Sequence, residues 1–167
     1  MNKSKTSRIV KTSVMLALGA VALAGCGKLK DEPLKDLTVV ADFKAGKPEN
    51  LVASDGWGNG DPFNVLWSKS NVVYENETMD LKMSKDGEQL FGAEVKSTDF
   101  YGYGDYEVIM KPSTAYGTAS TFFIYTGPYD LNAEGKPNPW DEIDIEFLGK
   151  NTNRVQFNYY VNGVGNH

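Results

Sequence analysis

Alternation of apolar and polar positions predicts strands along the chain from residue 71 onward. Asn71–Tyr74 and Thr78–Met83 alternate in this way, and Lys85-Asp86-Gly87-Glu88 supplies a hairpin-type turn, since Asp-Gly accepts positive φ. Phe91–Lys96 returns as the next strand, and Tyr106–Met110 follows, stopped by Pro112. Ser120–Tyr125, Glu142–Leu148 and Arg154–Val161 complete the set. Between the first two of these, Gly127–Pro139 holds three Pro and two Gly in thirteen residues and predicts a loop. No helical period is sustained after residue 37. Many short strands divided by turns predict an all-β sandwich or barrel.

The N-terminal pattern is of a different kind. Lys3, Lys5, Arg8 and Lys11 precede an apolar run from Val14 to Ala24, which is too short to span a bilayer. A basic region followed by such a run predicts a secretory signal over residues 1–25. Leu23-Ala24-Gly25-Cys26 resembles a bacterial lipoprotein processing site, in which the cysteine is lipidated and becomes the new N-terminus. Residues 26–37, polar and charged with one Pro, predict a tether from that lipid to a domain at 38–167. A short first strand near Leu37 is the alternative. An exported protein held at the cell surface by Cys26, or secreted, is the expectation.

Composition then removes several chemistries. With 17 Lys+Arg against 22 Asp+Glu the formal charge is −5, so a nucleic-acid partner is not expected. One Cys and one His exclude a disulfide framework, a Cys/His zinc site and a Cys–His dyad. A Ser-His-Asp triad would need His167, the last residue.

Chemistry concentrates in Trp140-Asp141-Glu142-Ile143-Asp144-Ile145-Glu146-Phe147-Leu148-Gly149. On a strand, Glu142, Asp144 and Glu146 share one face and Ile143, Ile145 and Phe147 the other. The two Glu Cα atoms then stand about 13 Å apart at ~3.3 Å per residue, and their side chains can converge on a bond between them. Retaining glycosidases hold two carboxyls roughly 5–5.5 Å apart. Three carboxylates in line repel, so at least one pKa should rise, as a general acid near neutral pH requires. A solvated acidic face is the competing reading of the same pattern.

Neighbouring strands repeat the two-faced design. Phe123 and Tyr125 share a face, as do Gln156, Asn158 and Tyr160, and also Gly92, Glu94 and Lys96. A sheet built from these faces carries carboxylates, amides and rings, a surface on which sugars bind.

WDEIDIEFLG resembles the active-site strand of glycoside hydrolase family 16, in particular of bacterial lichenases, the endo-β-1,3-1,4-glucanases. Ser54-Asp55-Gly56-Trp57-Gly58-Asn59-Gly60, Tyr101-Gly102-Tyr103-Gly104, Tyr125-Thr126-Gly127-Pro128 and Val155-Gln156-Phe157-Asn158-Tyr159-Tyr160 are similar to lichenase segments in the expected order. The E-x-D-x-E spacing separates lichenases from laminarinase-like relatives, which carry one more residue. The resemblance implies a concanavalin-like jelly-roll β-sandwich and double displacement. It implies Glu142 as nucleophile, Glu146 as acid/base, and Asp144 between them tuning their protonation. It implies glucan contacts at Asn64, Glu94, Phe123, Tyr125, Trp140, Asn158 and Tyr160. The chemistry then needs no cofactor; a structural calcium ion is implied without assignable ligands. The partner is a β-glucan such as lichenan or cereal β-glucan, and a monomer is expected.

Four departures stand beside the resemblance. Val65 and Gly92 occupy positions where many lichenases carry a Cys pair. Lys96 stands where an Arg is usual, and cannot make the same bidentate fork. The stretch Tyr129–Pro139 is longer than in typical lichenases. Sandwiches of this kind often take about 200–250 residues, so the fold is expected to be incomplete at the C-terminus, the chain being a partial record or a truncated product. A non-catalytic or truncated glucan-binding surface lipoprotein, and a family 16 hydrolase of another β-glucan such as laminarin, are the alternatives.

Overall fold

The computed structural model describes Thr38 and residues 40–165. The expected signal segment, Cys26 and the whole of the tether at 26–37 lie outside the described residues. Described residues form strands, turns and two short 3₁₀ turns, with no α-helix among them and none long and apolar enough to cross a membrane. They fall into two compact units, the first reaching Tyr106 and the second starting at Glu107.

The first unit holds β1 (Leu51–Ala53), β2 (Val65–Trp67), β3 (Val72–Glu75), β4 (Thr78–Leu81), β5 (Ser84–Asp86), β6 (Gln89–Gly92) and β7 (Val95–Ser97). β3 and β4 form a hairpin whose turn residues Asn76 and Glu77 take φ of 51° and 62°, the paired left-handed geometry that matches strand twist. β5 and β6 form a second hairpin, closed by Gly87-Glu88 alone, so Lys85 and Asp86 belong to the strand and not the turn. β2 runs parallel to β6, and β1 antiparallel to β7.

Two further expectations change in this unit. Asn71 is not on a strand. It closes a 3₁₀ turn, and its buried amide donates to the carbonyls of Phe91 (3.1 Å) and Gly92 (3.4 Å), tying the turn to the end of β6. Phe91–Lys96 is not one strand. Its first part pairs with β2 and its last with β1, and at the switch the Glu94 carbonyl accepts from Ser54 N–H at 3.0 Å. Alternation continues through a change of partner, so periodicity cannot reveal the break.

The second unit holds β8 (Ala119–Thr126), β9 (Asp141–Leu148), β10 (Gln156–Val161) and β11 (Val164–Gly165), an antiparallel sheet in the order β11-β10-β9-β8. The expected strand at Tyr106–Met110 is absent; beyond a single bridge position at Glu107 the segment has no ladder. Alternation shows that a segment can be extended, but a strand also needs a partner for its amides and carbonyls. On one face of the sheet Phe122, Ile145, Phe147 and Phe157, with Val108 and Met110, line an apolar hollow of about 340 Å³. Ile145, 4% exposed, is its best-buried member.

Candidate active site

The register of the second sheet builds the site. Glu142 stands between Tyr125 and Tyr160, Asp144 between Phe123 and Asn158, and Glu146 between Thr121 and Gln156. Residues opposite one another in a ladder share a face, so three rows of three cross the sheet on the side away from the apolar hollow. Of the ten residues predicted for catalysis and binding, the eight beyond Glu107 come together here.

Each carboxylate has a different setting. Trp140 donates its indole N–H to Glu142 Oε2 at 2.7 Å and stacks on Tyr160 with ring centroids 5.0 Å apart. Gly163, at the β10–β11 turn with φ of 75°, donates its N–H to the Trp140 carbonyl at 2.8 Å. A Cβ there would stand 3.2 Å from Trp140 Cε3, so this turn backs the indole. Glu146 Oε2 accepts from Gln156 Nε2 at 2.8 Å. Asn158 Nδ2 reaches the Tyr160 hydroxyl at 3.4 Å.

Asp144 is the buried member, 8% exposed. Burial, then the charges of Glu142 and Glu146, and finally a hydrogen bond to Glu142 raise its pKa to about 7. The rise expected from three carboxylates in line therefore falls on the middle one. Below that pH Asp144 is a neutral donor to Glu142, which removes one charge from the row of three carboxyls.

Gln156 is the partner that sequence reasoning passed over. It shares its face with Asn158 and Tyr160, but its pairing with Glu146 needs the ladder register. Asn64 and Glu94 are carried by the first unit. Asn64 is exposed, with φ of 49°, directly before β2. Glu94 Oε1 accepts from the buried Ser54 hydroxyl at 2.5 Å. Lys96, exposed at the middle of β7, stands opposite Val52. Among the described residues no cluster of three or more His, Cys, Asp or Glu side chains is arranged to hold a metal, so the implied calcium finds no carboxylate cluster here.

The model of "Glycosyl hydrolases family 16" matches residues 59–167, well over half of the chain. The chain belongs to family 16. A beta-glucanase of Paenibacillus macerans is 51% identical over 116 residues, covering 68% of this chain and 46% of the relative. One from Acetivibrio thermocellus is 39% identical over 166 residues, covering 98% of this chain and 47% of the relative. Among solved structures, a prokaryotic beta-1,3-1,4-glucanase (lichenase) from a mouse hindgut metagenome matches with TM-score 0.67 at 44% identity, covering 76% of this chain and 58% of that one. The Bacillus licheniformis beta-glucanase matches with TM-score 0.66 at 43% identity, covering 75% and 57%. These likenesses give the family 16 chain its fold class, the all-β jelly roll of lichenases. The chain spans about half the length of the beta-glucanases it matches.

Proposed function

We propose that this family 16 protein is a retaining endo-glycosidase that cleaves β-1,4 bonds in mixed-linkage β-1,3-1,4-glucan. The observation that carries the reading is the row order on one sheet face: Glu142, Asp144 and Glu146 in line, flanked by Phe123 and Tyr125 on one side and Asn158 and Tyr160 on the other. Glu142, oriented by the Trp140 indole and by protonated Asp144, attacks the anomeric carbon and forms a glycosyl-enzyme as the glycosidic bond breaks. Glu146 gives its proton to the leaving oxygen. It then takes one from the water that releases the sugar. Rings stack on sugar C–H faces and the amides meet hydroxyls. No cofactor enters the chemistry. The beta-glucanase and lichenase names of its relatives support a β-glucan as the substrate class.

Linkage analysis of products from the whole protein tests the reading. Cleavage of mixed-linkage glucan at β-1,4 bonds, with pure β-1,3-glucan left intact, is expected. Release from pure β-1,3-glucan would move the protein to the laminarin-type alternative. Binding of glucan without any product would leave the non-catalytic one.

The same proposal places the protein at the outer surface of its cell through lipidated Cys26. Fatty-acid labelling that is lost in Cys26→Ala is the expected result; labelling that persists would remove the anchor.

A further inference from the structure

We infer that Tyr129 adds a sugar-stacking position to this cleft, holding a further glucosyl ring of the β-glucan chain beyond the one at Tyr125. The inference rests on the glucan-cleft reading above. It starts from the end of the sheet at which the nucleophile stands. Tyr125 lies opposite Glu142, and β8 ends one residue later. Gly127 is buried there, so close to the Tyr125 ring that a Cβ at this position would collide with the phenol hydroxyl. The Tyr125 ring thus leans over the first residue of the long loop.

That residue opens a tight turn. Asp130 donates its N–H to the Gly127 carbonyl at 2.8 Å, and its Oδ2 accepts from Gly127 N–H at 2.9 Å. Pro128 occupies the second position, where its fixed φ suits the turn. Tyr129 occupies the third and is 96% exposed. The rest of the loop fixes this turn in place. Asn138 donates from its backbone to the Asp130 carbonyl and from Nδ2 to Thr126 Oγ1, both at 2.9 Å. Leu131 and Pro137 form a bridge between the two arms.

A ring so exposed contributes little to packing. Held on a braced turn, it gives up little backbone entropy when a ligand covers it. Four residues of chain place its Cα at most about 14 Å from that of Tyr125. Within that reach, an aromatic surface with a polar tip can meet a ring farther along an extended glucan.

The test compares the whole protein with Tyr129→Ala and Tyr129→Trp on mixed-linkage gluco-oligosaccharides of increasing length. Tyr129→Ala should leave kcat/KM unchanged on the shortest cleaved oligosaccharide. It should raise KM about five- to tenfold on longer ones, the size of one lost stacking contact. Tyr129→Trp should restore the longer-chain KM. An Ala variant equal to wild type at every length, or impaired equally at every length, overturns the inference while leaving the glucanase reading intact. A wild-type protein that cleaves none of the series overturns that reading, and the added position with it.

Discussion

Gln156 donates its amide N–H to the Glu146 carboxylate at 2.8 Å, from the position directly opposite on β10. One oxygen of the proposed acid/base is thus held by a neutral neighbour, leaving the other for the leaving group. Loss of a hydrogen bond to a charged group costs about 1.5 kcal/mol at the lower end, where an exposed residue such as Gln156 belongs. Gln156→Ala is therefore expected to lower kcat on mixed-linkage glucan by about tenfold with little change in KM. The loss should shrink on an aryl glycoside, whose leaving group needs less proton assistance. Equal losses on both substrates would mean that Gln156 acts on binding or folding and not through Glu146.

Asp144 makes stability depend on pH in a defined direction. Its pKa is about 7 in the folded chain against an ordinary value near 4. Between about pH 4 and about 7 the folded state holds a proton that the unfolded state has lost, so stability falls as pH rises through that window. Asp144→Asn keeps a neutral donor beside Glu142 at every pH. Its Tm should lose this part of the downward slope between about pH 4.5 and 7, measured beside wild type. An unchanged slope would place the titrating group elsewhere.

The site was legible in the sequence because its chemistry is carried by strand alternation, a local property. Glu142, Asp144 and Glu146 could be set on one face, and Phe123, Tyr125, Asn158 and Tyr160 on matching faces, before any pairing was known. What alternation could not supply was register. The Glu146–Gln156 contact joins residues on different strands, and the partner switch at Ala93–Glu94 leaves the apolar pattern unbroken. Tyr106–Met110 has a strand's pattern and no strand's ladder. Strands as short as Leu51–Ala53 and Val65–Trp67 carry too few positions for a period to show.

Val65 and Gly92 lie on neighbouring strands of the first unit. A Cβ on Gly92 would stand 2.8 Å from Val65 Cγ1 and 2.8 Å from the Trp67 ring. A cystine joining these positions closes a loop of moderate length, a change worth about 3 kcal/mol before strain. Trp67 must yield space, and that offsets part of the gain. The Val65→Cys/Gly92→Cys protein, made with Cys26→Ser to leave one thiol pair, should form the bond and melt higher by several degrees. The gain should vanish with a reductant. Two free thiols under oxidising conditions would show that these Cβ vectors do not meet.

The roles of Glu142 and Glu146 are separable by the handedness of a trapped product. In Glu142→Ala no covalent intermediate forms, and azide can enter the space left by the carboxylate. It attacks the anomeric carbon from that side and gives an α-glycosyl azide. In Glu146→Ala the nucleophile remains, and an activated aryl glycoside still forms the glycosyl-enzyme without acid help. Azide then displaces Glu142 from the opposite side and gives a β-glycosyl azide, two inversions retaining the substrate's configuration. On unactivated glucan Glu146→Ala should lose roughly 10²–10⁴-fold in rate. Chromatography and NMR of the azide products decide the matter. The same anomer from both variants would overturn the assignment. The β product from Glu142→Ala and the α product from Glu146→Ala would exchange the two roles.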